Sequence, residues 1–145
     1  TLSRLLNPAG LPCSMQSVFH SSYAPNHQSA AQKLDQQNAV VFKGEAGEVE
    51  YRPNADQQLF LLHNSEASTE QWQRQIDGRV ETQAELTAAE LKTVWQTDQC
   101  TDYAQLAIVG TIAVALRMCG EARNQEQAWP MAESLWHQRN RKRLR

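Results

Sequence analysis

The spacing of apolar and polar positions predicts a strand, a helix and a second strand in the first third of the chain. Polar and apolar side chains alternate in MQSVFH (Met15 to His20), as in a strand with one buried face. Pro25 is a natural first helical residue, so a helix is predicted to begin there. One face of this helix would carry Ala30, Ala31 and Leu34. The β-branched run AVVFK (Ala39 to Lys43) predicts a buried strand. Joined by short links, these elements predict a right-handed parallel βαβ unit.

Two further apolar stretches predict additions to this sheet. EVEY (Glu48 to Tyr51) is typical of a short strand, and QLFLLH (Gln58 to His63) of another, with the turn RPNAD between them. Both are natural antiparallel or edge strands. The predicted fold class is therefore α/β, a parallel sheet with flanking helices and a short antiparallel edge.

Three helices are predicted in the second half. Thr87 and Glu90 form a capping box, with Leu86 facing Leu91, for a helix that runs to about Gln96. The next helix is expected to begin at an Asp102 cap and to end at Gly120, with Gly110 and Thr111 permitting close approach to a neighbour. Asn124 should cap the last helix, one face of which carries Trp129, Ala132, Leu135 and Trp136.

Composition narrows the class of protein. With 145 residues, 41% apolar and 21% charged, the chain has the size and balance of one globular domain, and we expect it in the cytoplasm. Its longest apolar run, Leu106 to Leu116, is far short of the roughly 20 residues that cross a bilayer, so no membrane partner is expected. The three cysteines and four histidines show no metal-ligand spacing, so we expect reduced thiols and no structural metal.

The net charge of −2 conceals an asymmetry. The final segment RNRKRLR carries five of the fourteen basic residues: Arg139, Arg141, Lys142, Arg143 and Arg145. The rest of the chain has nine positive charges against sixteen negative ones. A basic cluster attracts phosphate backbones, whereas the alternative is a solubilising terminus that complements the helix dipole. In either case Trp136 and His137 are expected to be core and helix surface rather than base-stacking residues.

Three stretches together resemble the C-terminal part of the anthranilate phosphoribosyltransferase family, also called glycosyl transferase family three. LSRLLNPAG (Leu2 to Gly10) is similar to the family's L-G-P-L-x-N-P loop. The segment from Ser17 to Glu50 is similar to its strand, helix, strand and G-x-x-G-x-D-E element. The segment from Asp102 to Trp136 is similar to its closing helix pair, whereas Gln57 to Gln99 matches only loosely.

The resemblance implies a fold and a missing part. It implies the C-terminal half of a phosphoribosyltransferase or nucleoside phosphorylase-type domain, covering residues 1–145. The family's helical N-terminal domain, which forms its homodimer contact, and its Gly-rich diphosphate loop would both precede Thr1. We therefore expect this chain alone to be inactive, with no catalytic residue and no cofactor of its own.

The resemblance also implies a magnesium site that can be checked. In the family, adjacent Asp and Glu after the G-x-x-G turn hold the Mg²⁺ that neutralises the diphosphate leaving group. In GEAGEVE the glycines are Gly44 and Gly47, Val49 stands at the Asp position and Glu50 at the Glu position. Glu50, with Glu48, is the candidate metal pair. The alternative is a glycine turn with two solvated glutamates flanking a core valine.

Ser3 and Arg4 replace the family's Gly-Pro, so Arg4 either holds a phosphate or points into solvent. One group of paralogues lacks the acidic pair and is thought to bind nucleic acid. The favoured hypothesis is a non-catalytic paralogue that binds nucleic acid non-specifically through Arg4 and the basic tail. The alternatives are a Mg²⁺-dependent phosphoribosyl or glycosyl transferase acting on an aromatic amine or base, and an interaction module without a ligand.

Overall fold

The computed structural model describes residues 5–78 and 87–144, with the side chain of Glu45 excepted. In these ranges the chain has a mixed α/β fold of four strands and four helices. The elements in chain order are β1 (Cys13–Val18), α1 (Ala24–Lys33), β2 (Asn38–Lys43), β3 (Gln57–His63), β4 (Glu66–Trp72), α2 (Ala88–Thr97), α3 (Asp102–Met118) and α4 (Gln125–Gln138).

The described strands form one open sheet in the order β1-β2-β3-β4. β1 and β2 are parallel and are connected by α1, which confirms the predicted βαβ order. β3 and β4 add two antiparallel pairings. Two of the three pairings in the described sheet are thus antiparallel, whereas the pattern predicted a parallel sheet with only a short antiparallel edge.

Strand β4 was not predicted from the sequence. It pairs with β3 over its whole length, through a two-residue turn in which Asn64 and Ser65 have φ of 50° and 66°. Positive φ at both central positions is the geometry of a type I′ hairpin. Asn-Ser is a weaker signal for this turn than Asn-Gly, and most of EASTEQW is polar because its outer positions face solvent.

Helices cover both faces of the sheet. Val40 and Phe42 of β2, with Leu59 and Leu61 of β3, face the layer formed by α3 and α4. The alternate residues of the same strands face α1, in two smaller clusters around Val41 and Leu62. The core therefore lies mainly between the sheet and the α3–α4 pair.

The helix boundaries follow local signals. The Thr87–Glu90 capping box is present, and α2 ends at Thr97, as predicted; Leu86 lies outside the described residues. The predicted Asp102 cap is wrong: the Thr101 side chain accepts the hydrogen bond from the Ala104 N–H, and Asp102 occupies the first turn. Asn124 caps α4 as expected. Among the described helices, none combines the length and apolarity needed to cross a bilayer.

Candidate nucleic-acid interface

The candidate site lies where the two parallel strands end. The register runs from Cys13 opposite Asn38 to Val18 opposite Lys43, so the segments after both strands leave the sheet at the same edge. Ligands of open α/β sheets bind outside the carboxyl ends of such strands. This edge is where a binding site is expected from the topology alone.

Three aromatic rings project from the segment after β1. Phe19 is 62% exposed and Tyr23 is 55% exposed, with the exposed His20 between them. The ring centroids of Phe19 and His20 are 4.8 Å apart, and those of His20 and Tyr23 are 6.1 Å apart, both in edge-to-face arrangements. Neither contact is a flat stack, and the exposure of Phe19 and Tyr23 leaves ring surface that a flat ligand can reach. We call Phe19, His20 and Tyr23 the aromatic trio.

The start of α1 fixes the backbone of the trio. The Tyr23 N–H donates to the His20 carbonyl at 3.1 Å, closing a 3₁₀ turn over Ser21–Tyr23. Ala24 is buried against the sheet, and Pro25 lies in the first helical turn, where a missing N–H costs nothing. The chain is therefore anchored on one side of the trio by Val18 and on the other by Ala24, and the rings face outward.

A polar cleft adjoins the aromatic trio. Its volume is ≈ 350 Å³, and its lining includes Ser21, Lys43, Arg52, Gln58 and Gln71. Asp56 also lines it. The Arg74 guanidinium donates to both oxygens of that carboxylate, at 3.0 and 3.1 Å, and these hydrogen bonds hold the pKa of Asp56 below its ordinary value. Two cations, Lys43 and Arg52, thus line this cleft together with Ser21, which lies between His20 and Tyr23 in the chain.

The glycine turn after β2 is packed tightly against β1. A Cβ on Gly44 would lie 1.7 Å from the Glu48 carbonyl oxygen and 2.9 Å from the Ser17 Cβ, so only glycine fits there. The Ser17 hydroxyl of β1 donates to the Gly47 carbonyl, and Gly47 has a φ of 85°. The two predicted glycines therefore have physical roles in bringing this turn to the sheet edge.

The segment after the turn corrects two predictions. Residues 48–51 form no strand, and Val49 is 40% exposed rather than part of the core. The buried residue is Tyr51, whose N–H donates to the Thr111 hydroxyl at 3.0 Å and whose phenol donates to the Gln73 carbonyl at 3.0 Å. These bonds, rather than a strand ladder, fix the backbone. Burial raises the pKa of Tyr51 to about 12.

The predicted metal pair lies on this irregular segment. Glu48 is exposed and Glu50 is half-buried, with Val49 between them offering no oxygen ligand. In the part of the chain that the structure describes, no group of three or more His, Cys, Asp and Glu side chains is placed to hold a metal ion. The role of Glu50 and Glu48 in magnesium binding stays a prediction.

Two of the basic residues that were predicted to bind nucleic acid form ion pairs with Asp98 instead. Arg139 has a side chain that is only 5% exposed and forms an ion pair with Asp98, the C-cap residue of α2. Its guanidinium also donates to the carbonyls of Val94, Trp95 and Trp136, at 3.2, 2.9 and 2.7 Å. Buried in these contacts, Arg139 is not presented to a phosphate.

Arg141 contacts the second oxygen of Asp98 and donates to the Gln96 carbonyl at 3.3 Å. Partial burial raises the pKa of Asp98, but the hydrogen bonds and charges of Arg141 and Arg139 outweigh it, so the net shift is downward. Asp98 therefore neutralises part of the tail's charge.

Two described basic residues of the tail remain on the surface. Lys142 and Arg143 are exposed, whereas Arg4 and Arg145 lie outside the described residues. Trp136 is 5% exposed and packs in the core, and His137 is exposed, both as predicted.

The end of α4 and the basic tail lie against the end of α2. The Cys119 Sγ, just after α3, lies 3.6 Å from the Cys13 Sγ at the start of β1, and Gly120 packs against His63 at the end of β3, so the end of α3 lies at the edge of the sheet where β1 begins. Helix α3 has 17 residues and is about 25 Å long, so its beginning lies well away from that edge. Arg139 fastens the end of α4 to Asp98, four residues before α3 begins. Lys142 and Arg143 follow at that end of the fold.

Sequence reasoning did not identify the aromatic trio, Lys43 or Arg52 as site residues. The available signal was FHSSY (Phe19 to Tyr23), in which three rings occur in five residues directly after a predicted strand. No protein-family model matches the chain, and no curated protein sequence is significantly similar to it. The family resemblance therefore stays a prediction.

Proposed function

We propose that this chain is the C-terminal part of an anthranilate phosphoribosyltransferase-like domain that has lost catalysis and binds single-stranded nucleic acid without sequence preference. The observation that carries the binding proposal is the exposed aromatic trio after β1, whose segment also supplies Ser21 to the cleft that Lys43 and Arg52 line. Proteins that bind single strands combine such rings with a cationic groove.

The fold part of the proposal is supported by the order of elements. A parallel βαβ pair is followed by a tight G-x-x-G turn at Gly44 and Gly47, and the chain closes on the helix pair α3–α4. This is the order in the resembling family. The homodimer of the full-length protein, formed through an N-terminal domain, is proposed on the same resemblance.

Loss of catalysis is supported by Val49. A phosphoribosyl transfer needs oxygen ligands for the metal on the leaving diphosphate, and an exposed valine supplies none. Calorimetry of the full-length protein with phosphoribosyl diphosphate and Mg²⁺ should therefore give no binding heat. A clear heat that disappears in Glu50→Gln would favour the alternative, a Mg²⁺-dependent transferase.

The exposed aromatic rings favour single-stranded over duplex nucleic acid as the ligand. Base faces are available for stacking only where the bases are not already paired and stacked, and each base–aromatic stack contributes about 1–3 kcal/mol. Lys43, Arg52, Lys142 and Arg143 would attract the backbone phosphates. Since Arg139 and Arg141 are engaged with Asp98, the salt dependence should be less steep than five tail contacts would give.

The test is a fluorescence anisotropy titration of the protein with labelled single-stranded and duplex DNA at two salt concentrations. We expect tighter, salt-sensitive binding of the single strand, weakened tenfold or more in Phe19→Ala/Tyr23→Ala. Leu34→Ala/Leu135→Ala, which removes two equally exposed apolar side chains elsewhere, is the matched control and should bind like the parent. Absence of salt-sensitive binding, or equal losses in both double variants, would overturn the proposal.

A further inference from the structure

We propose that Cys13 and Cys119 form a dithiol that low-molecular-weight disulfides, such as glutathione disulfide, oxidise to an intramolecular disulfide. The two thiols are 106 positions apart in sequence, but their Sγ atoms lie 3.6 Å apart. Their sequence spacing gave no sign of this, and the sequence predicted only reduced thiols. The inference is independent of nucleic-acid binding.

The positions of the two cysteines permit closure. A disulfide bond is about 2.05 Å long, so the sulfur atoms must approach by roughly 1.5 Å. Cys13 is the first residue of β1 and Cys119 is the C-cap of α3, so both lie at element ends, where side chains and backbone adjust more readily than inside a ladder or helix. Gly120 follows with a φ of 82° and packs over His63, which holds the end of α3 above the sheet.

Accessibility assigns the order of the two steps. Cys119 is exposed, whereas Cys13 is half-buried. The Cys119 thiolate attacks the external disulfide, forming a mixed disulfide and releasing one thiol. The Cys13 thiolate then attacks the Cys119 sulfur and releases the second external thiol, so the protein loses two electrons and two protons and the external disulfide is reduced. Burial, with the contact to Cys13, raises the pKa of the Cys119 thiol, so oxidation should be slow near neutral pH and faster at higher pH.

Cys100 provides an internal control. It lies just before α3, and Cys119 lies just after this 17-residue helix, a separation of about 25 Å along the axis. No intramolecular disulfide can therefore join Cys100 to Cys119 in the folded protein.

The test is to equilibrate the native protein with glutathione disulfide, count thiols and map the linked peptides by mass spectrometry. We expect one thiol to remain of three, a single Cys13–Cys119 cross-link, and the same cross-link in Cys100→Ser. Cys13→Ser should stop at a glutathione adduct on Cys119. The proposal is overturned if the native protein and Cys100→Ser keep the thiols of Cys13 and Cys119, or if they carry only glutathione adducts without the cross-link.

Discussion

The Cζ atom of Arg139 lies 3.4 Å from the centroid of the Trp136 ring, while the same guanidinium forms an ion pair with Asp98. A second indole, Trp95, lies 5.6 Å from the same atom. A cation over an aromatic face is stabilised further when water is excluded, as it is here. Arg139 thus joins the end of α4 to the end of α2, and it directs the remaining tail along α2, where Gln96 donates to the Leu144 carbonyl at 3.1 Å.

Arg139→Ala should lower the free energy of unfolding by about 2–3 kcal/mol, because the substitution removes the more buried of the two cations at Asp98 and the side-chain donor to three helix carbonyls. Urea denaturation monitored by tryptophan fluorescence measures this. Arg143→Ala removes an exposed guanidinium from the same tail and should change stability by less than about 0.5 kcal/mol. Equal effects of the two substitutions would show that Arg139 has no special structural role.

Gly110→Ala should destabilise the protein, although alanine is the better helix former by about 1 kcal/mol. An added Cβ would lie 2.2 Å from Cδ1 of Tyr51, and the ring is enclosed by Trp72 and Trp129 and cannot move away freely. Overpacking typically costs about 1–3 kcal/mol, and a contact this short lies at the upper end of that range, so the cost exceeds the propensity gain. A higher thermal midpoint in Gly110→Ala would contradict this packing of α3 against Tyr51.

Tyr51 should make the protein sensitive to alkali. Its pKa is about 12 in the folded state, against an ordinary value of about 10 that applies when the chain unfolds. The folded state holds the proton more tightly, so this contribution to stability is full below about pH 10 and is lost as the pH rises toward 12. The free energy of unfolding, measured between pH 9 and 12, should fall less steeply in Tyr51→Phe than in the parent. Identical slopes would contradict the assignment.

The elements that were predicted correctly have strong local signals. Neighbouring residues alone specify three of these elements. The Thr87–Glu90 capping box starts α2, the Asn124 cap starts α4, and a run of apolar residues forms β2. Strand β4 lacks such a signal, because an edge strand with an exposed outer face needs few apolar residues. It is defined by pairing with β3, which is a tertiary interaction.

The site was harder to predict for the same reason. Period-two alternation places Val49 and Tyr51 together on the buried face of a strand, but no strand forms there: Tyr51 is buried beside Gly110, whereas Val49 is 40% exposed. The basic run of the tail gave no indication that Asp98, some forty residues earlier, would engage two of its arginines. Charge counts locate cations in the sequence, but only the fold decides which of them face solvent.

Photo-cross-linking tests the central claim, that bases stack on the aromatic trio, most directly. A single-stranded oligonucleotide carrying 5-iodouracil is irradiated with the protein, and the linked residue is mapped by mass spectrometry. Trypsin cleavage after Arg4 and Lys33 places the whole trio in one peptide, residues 5–33. We predict cross-links at Phe19, His20 or Tyr23 in that peptide, suppressed by excess unlabelled single strand. Cross-links confined to other peptides, from an oligonucleotide that binds, would contradict the account.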